Sequence, residues 1–205
     1  MKTILTFIIL FAISTSSYAE VGVKAGMNFS KFSDDFLQNP EFRIGYIVGI
    51  FKEFQLSEDY FIEPQILFLQ RGTEYNSTVY PPENLPPNFS TDTVNVELRY
   101  ELKYFKLPIL FGYKITNKFK VKLGPSLEYL LSGKAESEVT NYPKEKHTLK
   151  HMSDFTYGVN LGFSWNISKR FSLEGIYYYG FKNVFDSKDT KAKSRDLQFA
   201  LNYSF

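Results

Sequence analysis

The chain has 205 residues, a formal net charge of +2 and no cysteine. So small a net charge argues against a nucleic-acid partner, and the lack of cysteine leaves no residue for a disulfide bond or a lipoprotein anchor. Aromatic residues make up 18% of the chain, with 21 Phe and 15 Tyr. This composition favours β-structure and, in an exported bacterial protein, aromatic girdles at the surfaces of a membrane.

The N-terminus has the features of a secretory signal peptide. Lys2 supplies a short positive region, residues 4–13 form an apolar core interrupted only by Thr6, and Ser17 and Ala19 are small residues at the −3 and −1 positions of a cleavage site. The apolar run is too short for a membrane-spanning helix, which needs about 20 residues. We therefore predict a signal peptide over residues 1–19 and one exported domain over residues 20–205, whose net charge falls to +1 without Lys2.

The exported domain contains eight segments in which apolar and polar residues alternate, the pattern of a strand with one apolar and one polar face. They are residues 21–29, 42–54, 60–72, 93–115, 119–131, 155–167, 171–181 and 197–205. The last segment alternates strictly, with apolar residues at all its odd positions, and it ends on Phe205. In the fourth segment the apolar phase moves from even to odd positions, which predicts a β-bulge near Tyr104 and Phe105.

The connections between these segments alternate in length. Those after the second, fourth and sixth segments are short, and those after the first, third, fifth and seventh are long. The short connections are residues 55–59, 116–118 and 168–170, and the long ones are residues 30–41, 73–92, 132–154 and 183–196. This asymmetry is typical of outer-membrane barrels, whose short turns face the periplasm, and an even strand count puts both termini on that side.

Alternation alone leaves open which face lies inside the barrel. A soluble lipocalin-type barrel encloses its apolar face around a ligand, whereas a membrane barrel turns it towards lipid. Glycines fall almost entirely on the polar face, where a narrow eight-stranded interior needs small residues. These glycines are Gly22, Gly26, Gly45, Gly49, Gly124, Gly158 and Gly162. The opposite face is too bulky for such a lumen, so we favour the membrane barrel and keep a soluble periplasmic carrier as the weaker alternative.

The predicted fold is therefore an all-β, eight-stranded, antiparallel, up-and-down transmembrane β-barrel with short periplasmic turns and four long extracellular loops. Its polar face places nine charged side chains in the lumen, where they must pair or stay hydrated. They are Lys24, Arg43, Glu63, Arg71, Glu97, Arg99, Lys122, Glu128 and Glu174. We favour a salt-bridged plug, because eight strands leave room only for side chains. A small-solute pore is the alternative.

Five motifs resemble the PorT-like porin family, an outer-membrane β-barrel domain common in Bacteroidetes-type bacteria. They are residues 64–72 (PQILFLQRG), 104–110 (YFKLPIL), 124–125 with 129–133 (GP, YLLSG), 154–158 (DFTYG) and 179–183 (YGFKN). In the fourth motif Thr156 stands where an acidic residue is frequent. The resemblance implies an outer-membrane barrel without common catalytic residues. Because one member acts in a secretion system, it also leaves room for a secretion-complex partner.

No arrangement of residues predicts catalysis or a cofactor. His147 and His151 have a spacing that could ligate a metal on a helix, but no cysteine or carboxylate-rich shell accompanies them. His151, Ser153 and Asp154 lie close in sequence at the outer rim, without a third orienting group that would define a catalytic site. We predict a protein that is not an enzyme and has no cofactor and no metal site.

The functional prediction is a structural or interaction protein of the bacterial outer membrane that acts through its extracellular loops. The predicted partners are outer-membrane lipid and lipopolysaccharide, the barrel-insertion machinery, and an unidentified envelope or secretion-complex protein, but no nucleic acid. By resemblance to outer-membrane barrels generally, the last strand carries a C-terminal assembly signal. This signal consists of Phe199, Leu201, Tyr203 and Phe205.

Overall fold

The computed structural model describes residues 19–34, 40–79, 94–139, 145–149, 152–185 and 192–205. Within these ranges the chain forms nine strands: β1 Ala19–Asp34, β2 Glu41–Gln55, β3 Tyr60–Val79, β4 Val94–Lys114, β5 Phe119–Val139, β6 Glu145–Thr148, β7 Phe155–Asn166, β8 Phe171–Asn183 and β9 Ala192–Ser204. The predicted signal peptide lies outside the described residues except for Ala19, the first residue of β1. Across the described part of the chain, no helix is long and apolar enough to cross a membrane.

Eight long strands close into a barrel. Each pairs antiparallel with its neighbours in the order β1, β2, β3, β4, β5, β7, β8, β9, and β9 returns to β1 along thirteen residue pairs from Gly22–Ser204 to Asp34–Ala192. Closure satisfies the backbone hydrogen-bonding groups of every long strand within the sheet, which a strand needs in lipid. The predicted eight-stranded antiparallel barrel is thus confirmed, including the pairing of the last strand with both β8 and β1.

The sequence did not predict the short strand β6. It lies within the connection predicted as residues 132–154 and pairs only with residues 134–137 at the far end of β5. All four of its side chains are exposed. A four-residue strand between long polar stretches has too little alternation to stand out from a loop.

The strands extend further than their apolar patterns. β1 continues to Asp34, β3 to Val79 and β5 to Val139, so much of what was predicted as long loops is sheet. A transmembrane strand needs about 9–11 residues, whereas β4 and β5 each have 21. The excess lies on the side away from the four-residue turns 56–59, 115–118 and 167–170, and that side is extracellular in an outer-membrane barrel.

The outside of the barrel carries an apolar band between two aromatic belts. Phe119 stacks on Phe163 at a ring-centroid distance of 5.8 Å in the lower belt, and Tyr129 meets Phe155 at 4.9 Å in the upper belt. Phe119 and Tyr129 lie ten positions apart along β5. In a strand tilted by about 40° this distance amounts to a height of about 25 Å, the thickness expected of a lipid-facing band. Exposed side chains between the belts include Leu123 and Leu127, at 53% and 61%.

Above this band the polarity of the two faces of the sheet is reversed, so that polar side chains point outward and apolar side chains point inward. The buried positions of β4 stay even-numbered from Leu102 through Lys106 to Gly112, so the strand has no slip of parity. The β-bulge predicted near Tyr104 and Phe105 is confirmed in position, because the register of the β4–β5 pair shifts between Lys103 and Tyr104. The strand predicted to carry it is wrong: Lys103 pairs with Ser132 and Tyr104 pairs with Leu130, so the extra residue is Leu131 in β5.

This reversal of polarity has a simple physical cause. Between the belts the outer face of β4 meets lipid, but beyond them it meets water, so Lys103 and Glu101 lie outside while Leu102 is buried. The inward apolar residues form one cluster of Phe32, Ile47, Leu67, Leu69, Leu102, Tyr104, Val184 and Ala192, all at most 2% exposed. Its members towards the extracellular ends of the strands, Phe32, Leu102, Val184 and Ala192, are defined as the apolar cap. The cap closes the extracellular end of the lumen.

The lipid-facing assignment of Leu123, near the middle of the band, predicts a large cost for introducing a charge there. Leu123→Arg should reduce the free energy of unfolding by about 2–4 kcal/mol, because an arginine at this depth must leave water. Urea titration of the protein refolded into liposomes measures this value. Lys134→Gln is the control that changes charge on the outer face of the same strand above the band, where we expect a change within about 0.5 kcal/mol. Equal losses in the two variants would contradict the assignment.

Candidate functional site

The first of two charge clusters in the lumen, the lower layer, consists of Lys24, Glu63, Lys122 and Glu174. Lys122 Nζ lies 2.8 Å from Glu63 Oε2 and 2.6 Å from Glu174 Oε2, and Lys24 donates to the other oxygen of Glu174. The four residues come from four different strands and are 1–4% exposed. Two cations and two anions balance, so the lower layer is neutral.

The second cluster, the upper layer, lies nearer the cap and consists of Arg71, Lys106, Glu128 and Asp196. Arg71 makes a two-pronged contact with Glu128, with nitrogen–oxygen distances of 2.7 and 2.9 Å, and donates to Asp196 Oδ2 at 2.7 Å. Lys106 Nζ lies 3.4 Å from Glu128 Oε1. These four side chains have no solvent exposure, and the layer is again neutral.

Two tyrosines enclose the Arg71 guanidinium. Its central carbon lies 4.7 Å from the ring centroid of Tyr104 and 4.9 Å from that of Tyr178, within cation–π range. Tyr178 also donates its hydroxyl hydrogen to Glu128 Oε2 at 3.0 Å. The ring approaches the wall so closely that a Cβ on Gly158 would lie 2.6 Å from Tyr178 Cε2, which explains the glycine at that position. Rings and ions together fill the cross-section of the lumen.

Six of the nine charged residues predicted for the lumen lie in these layers: Lys24, Glu63, Arg71, Lys122, Glu128 and Glu174. The prediction for Arg43, Glu97 and Arg99 is corrected, because they lie in a charged outer cluster above the lipid band. Arg43 lies 3.2 Å from Glu101 and 4.0 Å from Glu74, and Arg99 lies 2.7 Å from Glu97. The outer cluster is defined as Arg43, Glu74, Glu97, Arg99, Glu101 and Lys103.

Sequence reasoning missed half of the upper layer. Lys106 lay on the polar, lumen-facing phase of the fourth segment but was left out of the predicted set of lumen charges, and Asp196 was placed in a loop. Tyr104 and Tyr178 carried no signal, since a buried tyrosine beside a charge looks like any apolar position in an alternating strand. Only the three-dimensional pairing could bring Asp196 to Arg71.

The structure places only some of the residues considered for catalysis or metal binding. His147 Nε2 lies 3.2 Å from Glu145 Oε2 on the exposed strand β6, Ser153 is buried and Asp154 is exposed. His151 lies outside the described residues. Among those described, no group of three or more His, Cys, Asp or Glu residues could hold a metal ion.

A closed sheet with an apolar exterior and an ion-paired interior defines a transmembrane β-barrel of the outer-membrane type. The chain belongs to the outer membrane protein beta-barrel domain family, whose model matches residues 11–186. The protein is therefore an outer-membrane β-barrel protein. A search of curated proteins finds no match.

Solved structures of small outer-membrane barrels resemble this chain in fold. Neisserial surface protein A is 13% identical with a TM-score of 0.54, and Ail from Yersinia pestis, in complex with the heparin analogue sucrose octasulfate, is 16% identical with a TM-score of 0.50. In both, the match covers 91% of this chain and 99% of the other. The protease OmpT from Escherichia coli is also similar, at 9% identity, a TM-score of 0.39 and coverage of 91% and 96%. A likeness that weak carries no argument about activity.

Arg71 is buried in the upper layer and Arg99 lies in the outer cluster, so their substitution should lower the free energy of unfolding by different amounts. Arg71→Met should reduce the free energy of unfolding by about 3–5 kcal/mol, because it leaves Glu128 and Asp196 buried with one cation between them. Arg99→Met, in the partly exposed outer cluster, is the matched control and should cost at most about 1 kcal/mol. Urea unfolding in liposomes compares the two. Similar losses would contradict the placement of the upper layer.

Proposed function

We propose that this protein is a closed, non-conducting and non-enzymatic barrel that acts as an interaction protein on the outer surface of the outer membrane. The observation that carries the proposal is the series of three obstructions in one narrow lumen: the lower layer, the upper layer and the apolar cap. A protein closed in this way offers its exterior, and not a conduit, to its surroundings.

The charge of the layers argues against the alternative, a small-solute pore. Selective pores carry rings of charge of one sign, or backbone carbonyl groups that replace an ion's hydration shell. Each layer here pairs two cations with two anions at contact distance, so neither ion sign is favoured. A solute would also have to separate Arg71 from both Glu128 and Asp196, which would strand buried charges.

The strand extensions support an interaction at the cell surface. Above the lipid band β3, β4, β5 and β6 form one continuous sheet. The outer cluster gives its outward face charges of both signs. Such a surface stays hydrated alone and can meet a polar partner. An envelope or secretion-complex protein remains the predicted macromolecular partner.

Lipopolysaccharide is the proposed partner at the upper aromatic belt. Arg195 lies on the outer face of β9, 3.5 Å from the ring centroid of Tyr179, and donates to the carbonyl of Gly180 at 3.0 Å. Lys31 lies 4.7 Å from the ring centroid of Phe42. Cations held over interfacial rings lie at the depth of lipid headgroups, where phosphates are found.

Several finer sequence predictions belong to this proposal. They are membership of the PorT-like family, export by a signal peptide over residues 1–19, and recognition of the last strand by the barrel-insertion machinery. The geometry of the last strand is compatible with the third, because Phe199, Leu201 and Phe205 are 52%, 46% and 75% exposed on the lipid-facing side.

A planar-bilayer recording tests the closed lumen. We expect no steady openings from the purified wild-type protein over the voltage range in which a general porin, inserted as a positive control, conducts. The reason is that neither layer can hydrate without separating its ion pairs. Reproducible unitary conductance from the wild-type protein would support the pore instead.

Substitutions at the upper belt test the proposed lipid contact. In liposomes containing lipopolysaccharide, Lys31→Gln/Arg195→Gln should lose most of the stabilisation that the wild-type protein gains over pure phosphatidylcholine, because the proposed phosphate contacts are gone. Urea midpoints in the two lipids measure this gain. Lys118→Gln/Lys169→Gln removes the same amount of charge at the periplasmic end and should retain the gain in stability. A similar loss in both variants would contradict the assignment.

A further inference from the structure

The periplasmic end of the lumen is open, unlike the extracellular end. A cavity of about 460 Å³ lies below the lower layer and reaches inward to Glu63 and Lys122. Its mouth lies between the turns 115–118 and 167–170. We call it the periplasmic cavity. Its volume falls within the range of small-molecule sites, about 300–1,000 Å³.

One wall and the rim of the periplasmic cavity carry an excess of positive charge. Six cations line it against three carboxylates, Glu20, Glu53 and Glu63. The inner cations are neutralised, since Lys120 lies 2.6 Å from Glu53 and Lys122 lies 2.8 Å from Glu63. The remaining cations are Lys114, Lys118, Lys169 and Arg170. Clustered like charges at the mouth of a low-dielectric cavity attract counter-ions of the opposite sign.

None of these four cations is neutralised by a carboxylate in the described part of the chain. Lys114 donates to the side-chain oxygen of Gln55 at 2.6 Å, and Arg170 donates to the Tyr203 hydroxyl at 3.3 Å. Lys118 and Lys169 sit in the exposed turns at the mouth. The cationic rim, defined as Lys118, Lys169 and Arg170, can therefore hold an anion without first breaking an ion pair.

The opposite wall is lined by hydroxyl and amide groups. Ser164, Ser172 and Asn202 face the periplasmic cavity from β7, β8 and β9. Asn202 is 2% exposed; its amide nitrogen lies 3.4 Å from Ser172 Oγ, but its oxygen Oδ1 has no hydrogen-bond partner. A buried acceptor without a donor costs free energy that a ligand N–H or O–H group would recover.

We propose that the periplasmic cavity binds a small organic anion from the periplasm, with a carboxylate held by the cationic rim and an N–H or O–H group donated to Asn202. A carboxylated acetamido sugar and a short acylated peptide with a free carboxylate share this chemistry. The lower layer forms the inner end of the site, so the ligand binds in a dead end and does not pass through the barrel. The site is independent of any interaction at the extracellular surface.

The test uses the wild-type protein purified from outer membranes and placed in phosphatidylcholine nanodiscs, where both ends are accessible. Isothermal titration compares N-acetylmuramic acid with N-acetylglucosamine, which lacks its carboxylate, and N-acetyl-alanyl-glutamate with the glutamine analogue capped at its terminal carboxyl as an amide. We expect saturable binding of at least one carboxylated probe, at least tenfold tighter than its uncharged counterpart and weakened by salt. The sugar and peptide arms identify the source of the carboxylate.

Variants locate the site. Lys118→Gln/Lys169→Gln/Arg170→Gln should weaken the bound probe at least tenfold, and Asn202→Ala should weaken it several-fold. Lys31→Gln/Arg195→Gln, at the other end of the barrel, is the control and should leave binding unchanged. Heat-modifiable migration on a detergent gel verifies that each variant is folded. The proposal is overturned if neither carboxylated probe saturates the wild-type protein, or if folded rim variants bind as tightly as the wild type.

Discussion

The structure depends on one constraint, the need of every backbone N–H and C=O group in lipid for a partner within the protein. Eight long strands meet this need by closing into a ring, in which β4 pairs with β5 and the last strand, β9, pairs with the first, β1. Closure at eight strands leaves an interior only wide enough for side chains. The outward residues must then be apolar, and the inward polar residues must find partners across a few ångströms of lumen.

The two neutral layers follow from that narrow interior. A buried charge costs several kcal/mol of desolvation unless excellent geometry offsets it, so cations and anions occur in equal number and in contact. Arg71 illustrates how the geometry is secured: Glu128 and Asp196 fix its nitrogens, while Tyr104 and Tyr178 hold its plane. One side chain, once ordered, serves several partners, so each further contact requires little additional loss of conformational entropy.

Sequence reasoning predicted the barrel, the faces of most strands and six of the lumen charges, because alternation with period two is a local property of the sequence. Once lipid is assigned to the apolar side, every strand with a regular pattern has a known inward face. The prediction failed where one strand passes through two environments. Arg99 and Arg71 both occupy polar positions in alternating strands, yet the side chain of Arg99 points outward into water and that of Arg71 points into the lumen. The extra residue Leu131 was hidden as well, because its neighbour Leu130 is equally apolar and no break in the pattern marks it.

The two ends of the lumen differ in a way that gives the barrel a direction. At the extracellular end the strands continue past the lipid and fill their interior with the apolar cap, so polar groups there face outward. At the periplasmic end the strands stop at four-residue turns and the interior stays open, polar and positively charged. Recognition outside the cell must therefore use the outer face of the sheet, whereas recognition in the periplasm can use the inside of the barrel. Because both neutral layers separate the two ends, binding at one end need not alter the other.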